Sequence, residues 1–252
     1  KVYLVGADTV LMSPTWVITK KPSTSQAVIG TTQDIDNSWY DSHDEAWVYD
    51  KTQVTSFIAD VQGEFEVTFT NGTETKTIKI ITAKYLGVQN CMACHKTGGI
   101  TQDTTYNAWK NTGHATALQR GLDGQKGSHF RSYCVSCHST GYDTYAENDG
   151  FDDFDFVFPS ELKDGTYDSL KNIYQSALNR SDVQCESCHG PGSNHLGNPG
   201  NVAVTLSSDN CATCHDAGKY HVYPDQWSLS AHGSGRTLYA DRSSCTPCHN
   251  GQ

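Results

Sequence analysis

Ten cysteines fall in five copies of one five-residue word, Cys-x-x-Cys-His, with none left over. The copies are Cys91–His95, Cys134–His138, Cys185–His189, Cys211–His215 and Cys245–His249. Two thiols at i and i+3 can each add to a vinyl group of haem, and the imidazole that follows then lies against the iron. Zinc is the competing chemistry, since two Cys-x-x-Cys pairs make a four-thiolate site. Zinc does not require a histidine directly after every second cysteine, and here all five words have one. The expectation is five covalently attached haem c groups. Cys91, Cys94, Cys134, Cys137, Cys185, Cys188, Cys211, Cys214, Cys245 and Cys248 would form the thioethers. His95, His138, His189, His215 and His249 would be the proximal iron ligands.

The other face of each iron also needs a ligand. Outside the five words stand His43, His114, His129, His195, His221 and His232. Five of these follow the first word, so His114, His129, His195, His221 and His232 are expected as distal ligands of bis-histidine haems. Met92 lies inside a word, where it cannot swing to the far face, and Met12 lies far upstream. His195 is only six residues after His189, too few to pass round a macrocycle, so it is expected to serve a neighbouring haem. His43 reads as a solvated loop residue; the sharper alternative is donation to a haem of a neighbouring copy, which would release His129 or His221.

These words need elements to hold them, and the composition bounds what those elements are. The chain has 252 residues, only 36% of them apolar, with 22 glycines. The apolar deficit is concentrated where the cysteines are, so macrocycles are expected to stand in for a side-chain core there. A formal charge of -10 argues against nucleic acid and anionic membrane surfaces as partners, and favours basic proteins or bridging divalent cations. No apolar run approaches the length of a bilayer span. Thioether attachment takes place outside the energy-conserving membrane, so the chain is expected to be exported, to the periplasm or the cell surface. Lys1 is read as the start of a mature product.

Residues 1–84 contain no cysteine and read as β structure. Strand-like runs are 2–5, 16–19, 27–29 and 54–58. Phe65, Val67 and Phe69 alternate with polar residues, Asn71-Gly72 supplies a turn, and Ile78 and Ile80 alternate on the return. Trp16, Lys21-Pro22-Ser23 and the spacing Phe57-x-x-Asp60-x-x-Gly63-x-Phe65-x-Val67 resemble the PKD-type branch of the immunoglobulin-like folds, with Phe65 where a tyrosine corner has Tyr. That resemblance implies a β-sandwich used for spacing or adhesion. The fold class is thus an N-terminal all-β immunoglobulin-like sandwich, residues 1–84, followed by a loop-rich, mostly α pentahaem domain, residues 85–252, organised around stacked haems.

Within residues 85–252 an internal repeat is visible. The first word is followed by Trp109-x-x-x-x-His114 and then the second; the fourth is followed by Trp227-x-x-x-x-His232 and then the fifth. This reads as a two-haem unit used twice, with the third haem between. The repeat, the stretch Cys188-His189-Gly190-Pro191-Gly192-Ser193-Asn194-His195 and the stretch around Cys134–His138 resemble the tetrahaem electron carrier of hydroxylamine oxidoreductase and its multihaem relatives. Five words and an added sandwich depart from that pattern. Asp149–Asp155 offers clustered carboxylates to a calcium ion, though at a spacing unlike the EF-hand loop; an acidic surface loop is the alternative.

Closely spaced haems make a path for electrons, so a non-enzymatic electron-transfer protein is the leading expectation. Its partners would be redox proteins or an external acceptor. Three assemblies of chemistry compete: a subunit of an extracellular cytochrome filament, formed by self-association; a soluble monomeric periplasmic carrier; and a multihaem reductase with one open iron acting on nitrite or hydroxylamine. The first resembles known filament-forming multihaem cytochromes in haem density and export.

Overall fold

The computed structural model describes residues 2–5, 15–30, 40–41, 46–47, 54–195, 197–198, 202 and 208–215. The chain forms two compact units: residues 1–36 with 49–206, and residues 37–48 with 207–252. In the first unit, strands β1 (Val2–Val5) and β5 (Val54–Phe57) pair antiparallel, and β2 (Thr15–Lys20), β6 (Gly63–Asn71) and β7 (Glu74–Thr82) form a three-stranded antiparallel sheet in the order β2-β6-β7. In the second unit the described strands are β3 (Tyr40–Asp41) and β4 (Ala46–Trp47), an antiparallel pair.

Period-2 alternation builds the three-stranded sheet. Phe65 and Val67 on β6 are fully buried and sit opposite Ile80 and Ile78 of β7. Leu4, Phe57, Phe65 and Val67 are buried together with Ala27, and Trp16, Ile18, Ile29 and Ile80 pack against them. Side chains of both sheets of the unit therefore share one apolar core. The opposite face of β2-β6-β7 carries a hydroxyl ladder, Thr19–Thr68 at 3.1 Å and Thr68–Thr77 at 2.9 Å. Such cross-strand pairs help set register.

Two local expectations are corrected. The turn after β6 is not centred on Asn71-Gly72. Asn71 pairs with Glu74, which leaves Gly72-Thr73 as the two-residue loop. Gly72 has φ of 62° while Thr73 is not in the positive-φ region, so the first loop position needs the glycine. Residues 27–29, expected as a strand, join no ladder: Val28 is exposed and Ala27 buried. Their place is set by side chains instead. Asp60 accepts the Ser25 hydroxyl at 2.6 Å and the Gln26 N–H at 2.6 Å, and Lys21 donates to the Ala27 carbonyl at 2.8 Å. Gly63 (φ 141°) lets β6 start beneath Pro22, whose Cγ would lie 2.7 Å from any Cβ at that position.

The rest of the first unit is short helices and loops: α1 (Val88–Cys94), α2 (Thr105–Trp109), α3 (Ala117–Leu122), α4 (Val135–His138), α5 (Thr166–Lys171), α6 (Gln175–Leu178) and α7 (Cys185–His189). Helix α8 (Ser208–His215) belongs to the second unit. The expectation of a haem region poor in side-chain core is corrected between residues 117 and 178. Leu118, Leu122, Phe130, Val135, Phe151, Tyr167, Ala177 and Leu178 are buried together, with Phe154, Phe156, Phe158 and Tyr174 against them. The long spacer between the second and third words supplies all of those aromatics except Phe130, which precedes the second word, and their area replaces what the words themselves cannot bury. The sheets and helices of this unit meet through Lys84 N–H to Ser193 Oγ at 2.8 Å, and Asn194 Nδ2 to the Thr82 carbonyl at 3.3 Å. Among the described residues no helix is long and apolar enough to cross a membrane.

Candidate haem attachment site

Each described word sits on or beside a short helix. Cys91 and Cys94 are on α1, with His95 capping its C-terminus. Cys134 ends a 3-10 turn, Ser132–Cys134, that runs into α4 with Cys137 and His138. Cys185, Cys188 and His189 lie on α7, and Cys211, Cys214 and His215 on α8. A helical turn places i and i+3 on one side, which is what two attachments to one ring require. None of these eight cysteines is in a disulfide, and none is fully buried. Cys245, Cys248, His249, His221, His232 and His43 lie outside the described residues, as does the second Trp-to-His repeat.

Three words are drawn together by residues 180–184. Thr140, just after the second word and fully buried, accepts the Gln184 N–H through its hydroxyl at 3.0 Å and donates to the Asp182 carbonyl at 2.8 Å. Val183 donates its N–H to the His114 carbonyl at 3.1 Å, and its own carbonyl takes the Trp109 indole N–H at 2.9 Å. The Trp-to-His segment is thus clamped against the chain entering the third word. Asp182, at φ 67°, accepts the N–H groups of Leu118 and Gln119 at 2.8 and 3.1 Å and so anchors the start of α3. Burial, outweighing those bonds, pushes the Asp182 carboxyl up to about 6.

Helices α1 and α7 also pack together, and the Cys91 and Cys185 thiols influence each other. That interaction, then burial, pushes Cys91 up, while the same interaction pulls Cys185 down.

Histidine geometry is the most informative part of the site. The His95 ring lies beside the His195 ring, centroids 6.2 Å apart and planes 21° from parallel. Nδ1 of His95 bonds Asp103 Oδ2 at 2.7 Å, and Nδ1 of His195 bonds the Asn198 carbonyl at 2.9 Å. His138 uses Nδ1 toward the Ala117 carbonyl at 3.0 Å. A ring that donates through Nδ1 presents an unprotonated Nε2 to a metal, and such partners commonly orient metal-bound histidines. Thr101, then His95, then the Thr105 N–H hold the Asp103 carboxyl well below the usual carboxylate range. Phe130 packs edge-on against His138, centroids 5.2 Å apart. His114 begins a 3-10 turn, His114–Thr116, and is exposed, as is His129.

Asp103, Asp182, Gln184 and Glu186 were not singled out from sequence. A carboxylate eight residues after a haem-word histidine, and a charged residue between the two cysteines of the third word, are the signals that point to two of them. The acidic loop is corrected as a calcium site. Asp149 pairs with Lys84 at 2.8 Å, and Asp152 and Asp153 accept the backbone N–H groups of Asp143 and Asn148. Among the described residues no group of three or more His, Cys, Asp or Glu side chains is placed to hold a metal ion.

No curated protein and no solved structure matches the chain. Residues 90–155 match the family described as cytochrome c554 and c-prime. That stretch spans the first two words, most of α1, all of α4, and the Trp109–His114 segment between them. The match supports a c-type cytochrome that carries covalently bound haem c and transfers electrons.

Proposed function

We propose that the chain is an exported pentahaem c-type cytochrome that passes electrons along a row of bis-histidine haems to a redox partner protein or an external acceptor. The observation that carries this reading is the His95–His195 pair beside the first attachment word. A metal–imidazole bond is about 2 Å long. Two such bonds, with the half-width of each ring, suit a centroid separation of 6.2 Å. The residues present therefore fit a haem iron. Haem supplies reversible one-electron chemistry when bound. The chain's own part is to hold and tune it: Asp103 and the Ala117 and Asn198 carbonyls fix imidazole orientation, and a hydrogen-bonded carboxylate makes its imidazole a stronger donor. His114, His129, His221 and His232 are the proposed distal ligands of the remaining haems.

In this proposal residues 1–84 are an immunoglobulin-like sandwich that spaces the haem region from its surroundings. The shared core of the two sheets and the Asp60 clamp on residues 25–26 favour that assignment. The net charge of -10 suits a basic partner. Copies joined end to end would extend the row into a filament. Elongated fibres in negative-stain microscopy support that assembly, and discrete particles refute it in favour of a monomeric periplasmic carrier.

The decisive test is the mass and spectrum of protein made in a haem-attaching, exporting host. Five haems added to the polypeptide and a low-spin spectrum are expected. A bare or zinc-bearing polypeptide refutes the proposal. A high-spin band with carbon monoxide or nitrite binding replaces it with the reductase reading.

A further inference from the structure

The Glu186 side chain is buried, 3% exposed, inside the third attachment word. Its carboxylate is surrounded by backbone donors from two other places. It takes the Leu86 N–H at 2.9 and 3.1 Å and the Gly87 N–H at 2.6 Å, both at the entry to α1. It also takes the Gly192 N–H at 2.7 Å, in the loop that leads to His195. Gly192 in turn accepts the His195 N–H through its carbonyl at 2.9 Å. Two residues earlier, Gln184 Oε1 takes the Val88 N–H at 2.6 Å. The start of α1 has no capping side chain of its own. The N–H groups of Gly87 and Val88 there are satisfied by Glu186 and Gln184 instead.

One carboxylate thus grips both pieces of chain that bring His95 and His195 together. We propose that Glu186 is a positioning residue for the first haem: from within the third word it holds the His95–His195 pair at ligating distance, and its buried charge lowers the reduction potentials of the first and third haems. The inference rests on the reading that this pair binds the first haem iron. A negative charge held in a low-dielectric interior favours the ferric over the ferrous state. A cation that acts on Glu186 is Arg180, whose guanidinium donates to the Tyr85 carbonyl at 2.7 Å and the Asp149 carbonyl at 2.9 Å. It attracts Glu186 without a direct bond between them. The carboxylate's hydrogen bonds go to backbone N–H groups, which carry no full charge to neutralise it.

The test uses haem-loaded protein and two variants. In Glu186→Ala the grip on residues 86–87 and 192 is lost, and carbon monoxide binding corresponding to a single haem is expected where the parent protein binds none. In Glu186→Gln the side chain keeps its reach and one acceptor. Carbon monoxide binding is expected to disappear again, while redox titration shows the potentials of two haems raised and the others unmoved. Glu186→Ala without carbon monoxide binding overturns the positioning role, and unmoved potentials in Glu186→Gln overturn the electrostatic one. Should Glu186→Ala not accumulate with haem, the potentials of Glu186→Gln decide alone. A parent protein that carries no haem, or binds carbon monoxide itself, overturns the axial-pair reading and this inference with it.

Discussion

Replacing Asp182 by Asn tests how the junction before the third word is held. Asp182 is buried, and burial pushes its carboxyl from the ordinary value of 3.8 to about 6. Between about pH 4 and 6 the folded protein therefore binds a proton that the unfolded chain releases. Unfolding then releases protons, so stability falls as pH rises through this window, and the full penalty is present above about pH 6. A shift of roughly two units corresponds to about 3 kcal/mol. Asn at position 182 carries no charge, tolerates the left-handed backbone at φ 67°, and retains an oxygen for the Leu118 and Gln119 N–H groups. Asp182→Asn is expected to be close to the parent in stability near pH 4 and more stable at pH 7, by up to about 3 kcal/mol. The assay is urea unfolding of haem-loaded protein followed by far-ultraviolet circular dichroism at several pH values. All other titrating groups are common to both proteins and cancel in the difference. A difference that does not change with pH, or a variant less stable at pH 7, refutes the reasoning.

Three further outcomes are expected. Gly121→Ala places a methyl group on the buried Phe130 ring, so α3 or Phe130 must move. A loss of about 1–3 kcal/mol in thermal unfolding is expected. Asp103→Asn removes the charge on the His95 Nδ1 partner, which weakens that imidazole as a donor to iron. The potential of one haem should rise in a redox titration, with the low-spin spectrum retained. Trp109→Phe keeps the ring but loses the hydrogen bond to the Val183 carbonyl. It should cost about 1 kcal/mol in urea unfolding, more if that carbonyl is left dry.

Much of the site's chemistry was legible in the sequence because attachment is local. Two thiols and an imidazole within five residues need only one turn of helix, as α1, α4, α7 and α8 provide. Strands β6 and β7 were legible for the same reason, since alternation over a few residues reports the face each side chain takes, and β1, β2 and β5 were legible as short strand-like runs. A short apolar run proved weaker evidence of pairing. Residues 27–29 read as strand-like, yet they join no ladder: Asp60 holds residues 25–26 just before them and Lys21 bonds the Ala27 carbonyl. The hairpin loop slid by one residue because the glycine takes the first loop position, which pairs Asn71 with Glu74. The aromatic core between residues 117 and 178 was missed because apolar composition averaged over the whole region hides the rich stretches on either side of the second word.

What the sequence alone determined is the kind of cofactor, covalently bound haem c, because that signal is written within single five-residue words. Only the tertiary structure decided that His195 lies beside His95, some hundred residues away along the chain. Glu186 and Gln184 bond backbone N–H groups of residues 86–88 at the entry to α1, and backbone donors of this kind look the same in any sequence. Contacts of such separation are set by the packing of the folded chain, which no local pattern encodes.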